Sequence, residues 1–140
     1  MKNYEFPLAY IHAQCRIVAQ CFAQSAYAGY DSDDFAEKFM TTDYGVMVIT
    51  DHRMIEYADA NYMFEGFQRE MQFKHGRHYR RDVLEFAGYL YKYWVSMYNV
   101  DPRVVYAKAP ISLLNTRYGF YHTQDLDYII DDIISRPAMH

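Results

Sequence analysis

His122 precedes Asp125 and Asp127 by three and five residues, which sets an imidazole within reach of two carboxylates. Such a group could act as a general base or a metal ligand. The surrounding residues favour a plainer reading. Thr123 reads as a helix N-cap, so His122 falls in the turn before it, and both carboxylates suit a helix N-terminus on dipole grounds alone. No second His or Cys stands at ligand spacing, and no nucleophile is positioned by the sequence. The expectation is a turn-anchoring histidine, with no catalytic residue and no metal ligand assigned. His52, beside Asp51 and Glu56, is a weaker copy of the arrangement. If the two halves are equivalent, the two histidines could converge on a pseudo-twofold axis.

Two charged segments offer other chemistry. The connector Phe73–Arg81 mixes Lys74, Arg77, Arg80 and Arg81 with Phe73, His75, His78 and Tyr79. Cations for phosphate and rings for stacking are what a nucleic-acid or phosphate-ligand contact needs. The alternative is an exposed charged linker, or a basic surface docking on the acidic N-terminal half, and the chain's net charge of −4 favours it. Formal charge is −6 over residues 1–68, +4 over 69–81 and −2 over 82–140, so the basic patch is local. Asp125, Asp127, Asp131 and Asp132 form an acidic cluster that could meet a basic partner. At helical spacing it reads first as the solvated face opposite Leu126, Ile129, Ile130 and Ile133. No phosphate-binding glycine loop, zinc spacing, triad order or paired-carboxylate motif occurs, and no motif asks for a cofactor.

The elements that must carry these groups are helical. With 140 residues, 51% of them apolar, one compact domain with its own core is expected over residues 1–140. Leu8–Ala28 contains no Gly or Pro, and Ile11, Cys15, Val18 and Phe22 recur at helix-face spacing up to Gly29. Ser32 reads as the cap of a second helix, with Asp33 and Asp34 in its first turn, Phe35, Phe39 and Met40 inward, and Gly45 as its break. Val46–Thr50 is the best strand candidate, with a buried irregular segment as the other option. His52–Phe67 reads as a third helix with Ile55, Ala58 and Tyr62 inward and Gly66 near its end. Asp82–Tyr98 is a strong aromatic helix through Phe86, Leu90, Tyr93, Trp94 and Met97. Asp101-Pro102 starts a short helix that Pro110 ends, Ile111–Asn115 adds one turn, and a last helix capped by Thr123 stops at Pro137.

The expected fold class is therefore mainly α, a compact multi-helix domain with at most a minor short strand. Two plans stay open: a single unit, or quasi-repeated units 8–68 and 82–136 joined by basic connector 69–81. At an offset of 70 residues Asp31 meets Asp101, Lys38 meets Lys108 and His52 meets His122. Cys15 and Cys21, six residues apart, point about 240° apart on one helix and cannot pair with each other, so both are expected as buried free thiols. No signal peptide or long apolar run is present, and the expectation is a cytoplasmic protein without a membrane contact.

Val105-Tyr106, Tyr121-His122-Thr123 and Tyr128-Ile129-Ile130-Asp131-Asp132-Ile133 carry a resemblance. From about Leu84 to Ile134 the chain resembles a family of short bacterial proteins of unknown function. Its members read as an aromatic helix, a short helix with a Val-Tyr-like pair, a turn, and "His-Thr" leading to "Tyr-Ile-x-x-Asp-Ile". The resemblance implies an all-helical cytoplasmic protein of a kind often found near genes for ADP-ribosyltransferase-like toxins, hence an accessory or antitoxin-like role. This chain is about twice the usual family length.

Sixteen tyrosines exceed what a small core can satisfy with hydroxyl partners, so many must lie at its boundary or surface, where Tyr favours protein contacts. The leading expectation is a non-enzymatic protein-binding module in a bacterial or phage conflict setting, able to self-associate as a homodimer. Its surface would comprise Tyr91, Trp94, Tyr98, Tyr118 and Tyr121 with Asp125 and Asp127 of the acidic last helix. A nucleic-acid or phosphate-ligand protein using Lys74, Arg77, Arg80 and Arg81 is the alternative, and a small enzyme using His122 the third reading.

Overall fold

The computed structural model describes residues 7–52 and 59–136. Among these it places eight helices and no strand. They are α1 (Leu8–Tyr27), α2 (Ser32–Thr41), α3 (Asp43–Thr50), α4 (Ala60–Glu70), α5 (Arg81–Tyr98), α6 (Pro102–Lys108), α7 (Ile111–Tyr121) and α8 (Leu126–Ser135). The fold is mainly α, and the one β feature among the described residues is an isolated bridge between Tyr30 and His75. Among the described residues no helix is long and apolar enough to cross a membrane.

The long helices follow the apolar periodicity. Ile11, Cys15, Val18 and Phe22 are buried along α1, which packs along α5. At the crossing, a Cβ on Gly88 would stand 2.9 Å from the Val18 carbonyl oxygen and 3.0 Å from Ala19 Cα. A glycine is what lets the two backbones meet. α1 ends in a Schellman motif: Tyr30 N–H donates to the Ser25 carbonyl and Gly29 N–H to the Ala26 carbonyl, with Gly29 at φ +78°.

The strand expected at Val46–Thr50 is instead the body of α3. Thr42 starts that helix by accepting from Gly45 N–H at 3.1 Å, and Val48 and Ile49 are buried. The helix penalty of a β-branched residue is a few tenths of a kcal/mol. Burying each such side chain returns about 1.5–3 kcal/mol, so tertiary packing decides. Gly45 lies inside α3 rather than ending α2. A Cβ there would overlap the Phe39 carbonyl oxygen, so this glycine permits the tight corner from α2 into α3.

Several boundaries shift by a residue or two. Asp31, not Ser32, caps α2 through Asp34 N–H, while the buried Ser32 hydroxyl accepts from Tyr79 N–H at 3.0 Å. Asp59 caps α4, which runs to Glu70 past Gly66. Tyr62, expected inward, is 61% exposed, and Met63, Phe64 and Phe67 face the core instead. Ile55, Glu56 and Ala58 lie outside the described residues, as does Pro137. The single turn expected at Ile111–Asn115 is a helix of 11 residues, so Tyr118–Tyr121 is its last turn and not a loop. Asp125, not Thr123, occupies the N-cap of α8, and the Thr123 hydroxyl donates back to the Phe120 carbonyl at 2.9 Å.

One apolar cluster runs from Ile11 to Ile133 through both halves of the chain. α1 packs on α5, α2 on α6 and α7, and α3 on α5 and α6. The connector is no free linker. Asp31 N–H donates to the Lys74 carbonyl, Ser32 N–H to the Arg77 carbonyl and Lys74 N–H to the Asp34 carboxylate, and Phe73 is buried beside Phe35. Both halves nonetheless repeat one order: a long helix, an Asp-capped helix (Asp31, Asp101) and a third helix followed closely by a histidine.

Candidate binding cleft and C-terminal contact surface

α5 is buried on nearly every side, and this removes two residues from the expected contact surface. Trp94 is 1% exposed and Tyr91 is fully buried, with its hydroxyl donating to the Ala109 carbonyl at 2.6 Å. Tyr121 is a third correction. It is fully buried, donates to Asp132 at 2.6 Å and accepts from Arg117 at 2.9 Å. These aromatics build the core because α1, α3, α6, α7 and α8 all pack around α5. Tyr98 is half-buried. Its hydroxyl and that of Tyr93 both donate to Asp127, at 2.8 and 3.0 Å. Asp127 thus pins α8 to α5, and burial with this carboxylate pushes the Tyr98 phenol up.

What remains at the surface is a different set. Phe120 at the end of α7 is 52% exposed, and its ring meets Tyr128 edge-on at 6.2 Å. Tyr128 and Ile134 are each 45% exposed, and the exposed Asp131 lies one turn from each along α8. Asp125 is exposed at the helix start. The sequence carried a signal for this surface. The run of four isoleucines and a tyrosine in α8 is more than one helix face can bury, and Ile129, Ile130 and Ile133 already fill that face.

The basic connector divides. Arg80 forms a two-pronged pair with Asp82 (3.1 and 2.6 Å), and Arg81 reaches Tyr27 at 2.5 Å and Glu85 at 3.9 Å. Lys74 and Arg77 are exposed and form no ion pair among the described residues. Two of the four cations are thus paired with carboxylates of the same chain.

The two histidines lie in separate pockets. His52 is half-buried after α3, with Nδ1 at 3.0 Å from Gln14 Oε1 and 3.4 Å from Lys92 Nζ. It lines a cavity of about 160 Å³ with Thr50, Ser96, Asn99 and Asp101. Lys92 was not singled out by its sequence position, yet it is fully buried. Its ammonium donates to the Ile49 carbonyl at 2.7 Å, and burial pulls its pKa down from 10.5 to about 8. A lone lysine in an aromatic stripe was the only clue. The Ser96 hydroxyl, also buried, has no hydrogen-bond partner among the described residues. Cys15 and Cys21 are free and buried, and burial raises both thiols, Cys15 to about 12.

His122 is exposed and bonded within its own turn, and among the described residues no contact joins it to Asp125 or Asp127. Its ring stacks on Tyr118 at 4.8 Å, and Nδ1 lies 2.7 Å from the Tyr118 carbonyl. A carbonyl only accepts, so Nδ1 carries the proton and Nε2 presents a lone pair when the ring is neutral. Around it opens a cleft of about 390 Å³ lined by Arg80, Asp82, Val83, Asn115, Tyr118, Gly119 and His122. The Arg80 guanidinium stands 5.8 Å from the Tyr118 ring centre. Asp82 draws hydrogen bonds from Arg80 and Tyr118, and its carboxyl is held below the usual range, first by Arg80. The Tyr118 phenol is pushed up by burial and by Asp82. No group of three or more His, Cys, Asp or Glu among the described residues could hold a metal ion.

No protein-family model, curated protein or solved structure matches the chain.

Proposed function

We propose that the chain is a protein-binding module whose contact surface is the outer side of α7 and α8. The observation that carries this reading is the pair Phe120–Tyr128, two aromatic rings in contact at the surface of well-packed helices. Ile134 extends the apolar patch, and Asp125 and Asp131 surround it with negative charge. Aromatic anchors inside a charged rim are how protein interfaces are built. A fitting partner offers an apolar segment flanked by Lys or Arg. A symmetric dimer through this surface would oppose two acidic rims, so a different protein fits better than a second copy. An accessory or antitoxin-like role in a bacterial or phage conflict system extends this reading, and the support for that part is the motif resemblance alone.

The test is comparative capture followed by titration with the purified captured protein. The double variant Phe120→Ser/Tyr128→Ser should fold normally by circular dichroism and bind at least about tenfold more weakly, as loss of two anchors implies. Equal affinity for both forms would contradict the reading.

A further inference from the structure

Among the described residues, nothing in the packing requires glycine at position 119. It sits in the last turn of α7 with ordinary helical backbone, since Gly29 is the only glycine at positive φ among the described residues. A Cβ built on it meets nothing within 4 Å among the described residues, unlike Gly45, Gly66 or Gly88, where backbone or a side chain stands in the way. Glycine within a helix is destabilising relative to alanine, so this position gives up stability without any gain in packing. What the missing side chain leaves open is the cleft between Arg80, Asn115 and His122.

The chemistry of that cleft narrows the ligand. Arg80 and Asp82 cancel each other through their two-pronged pair, so the cleft is close to neutral and poorly suited to hold an anion by charge. It offers flat aromatic surface and hydrogen-bonding edges instead. The exposed His122 ring is backed by Tyr118, which is itself braced edge-on by Phe86 at 5.5 Å. The Asn115 carboxamide both donates and accepts, the His122 Nε2 lone pair accepts, and Arg80 keeps a free nitrogen beyond the two that Asp82 engages. Its volume of about 390 Å³ falls within the range of small-molecule sites. We infer that the cleft formed by Arg80, Asn115, Gly119 and His122 binds a flat, neutral nitrogen heterocycle of the nucleobase class, stacked on His122. This site is separate from the Phe120–Tyr128 surface, so each can fail alone.

The experiment is an amide-resolved NMR titration of the whole chain with adenosine, guanosine, cytidine and uridine, and with adenosine monophosphate as a further arm. At least one nucleoside should shift the Asn115, Gly119 and His122 amides at millimolar concentration or below. His122→Ala and Asn115→Ala should each weaken binding about tenfold, in line with loss of one stacking or edge contact. Gly119→Leu should abolish binding while leaving the protein at least as stable, because its side chain enters open space. That pairing separates a blocked cleft from a damaged fold. No shift with any nucleoside, shifts that appear only with the monophosphate, or binding unchanged in Gly119→Leu would each overturn the proposal.

Discussion

The third helix of each half ends near a histidine, and the two ends have opposite fates. After α3, His52 turns inward to Gln14 and Lys92, on a helix held tight against α2 by Gly45. After α7, His122 stays at the surface near a glycine whose missing Cβ would meet no described residue. The same succession of elements therefore serves two purposes. The N-terminal half is committed to packing there, and the C-terminal half keeps polar and aromatic groups available. A glycine in one is a packing requirement and in the other an opening.

Substitutions should expose this contrast, beginning with the two glycines. Gly45→Ala pushes a methyl into the Phe39 carbonyl, where only backbone movement can relieve it, and should cost about 3 kcal/mol or more in urea denaturation. A loss below about 0.5 kcal/mol would show that the α2–α3 corner is looser than the geometry states. Gly119→Ala should go the other way and raise stability by about 0.5–1 kcal/mol, the ordinary helix-propensity gain.

Lys92 gives the next effect. Its folded pKa lies below its unfolded value, so between about pH 8 and 10.5 the unfolded chain binds more protons, and stability rises with pH through that window. The stability of wild type relative to Lys92→Met should improve by about 2 kcal/mol from pH 7 to pH 9.5. Taking the difference cancels most of the opposing effect of Cys15 and Cys21, whose raised pKa values lose stability as pH climbs past 9. A flat difference would mean that the ammonium is not buried. At the C-terminal end, Tyr98→Phe removes one of the phenols held by Asp127 and should cost about 1 kcal/mol. His122→Ala should cost less than about 0.5 kcal/mol, as at an exposed position outside the core.

The helices α1, α5 and α8 were legible because their apolar residues repeat at helical spacing, whatever their neighbours do. α3 was not, because the local preference of Val-Met-Val-Ile-Thr opposes the packing that fixes it. The caps at Asp31 and Asp125 were missed by one or two residues where several capping side chains stand in a row. Trp94 and Tyr91 were misread as surface because a stripe pattern cannot reveal a helix covered on all sides. The cleft was least legible of all. Arg80, Tyr118 and His122 each drew attention singly, but what joins them is the docking of α7 beside the start of α5, a contact across more than thirty residues of chain.

The decisive measurement sets the two halves against each other in partner binding. Phe120→Ser/Tyr128→Ser alters exposed apolar groups of the C-terminal half, and Met47→Ser/Tyr62→Ser alters two exposed ones of the N-terminal half. Titrated against the same purified partner, the first variant should lose at least about tenfold in affinity and the second should match wild type within about twofold. Equal losses, or a loss confined to the Met47/Tyr62 variant, would contradict the assignment of binding to α7 and α8.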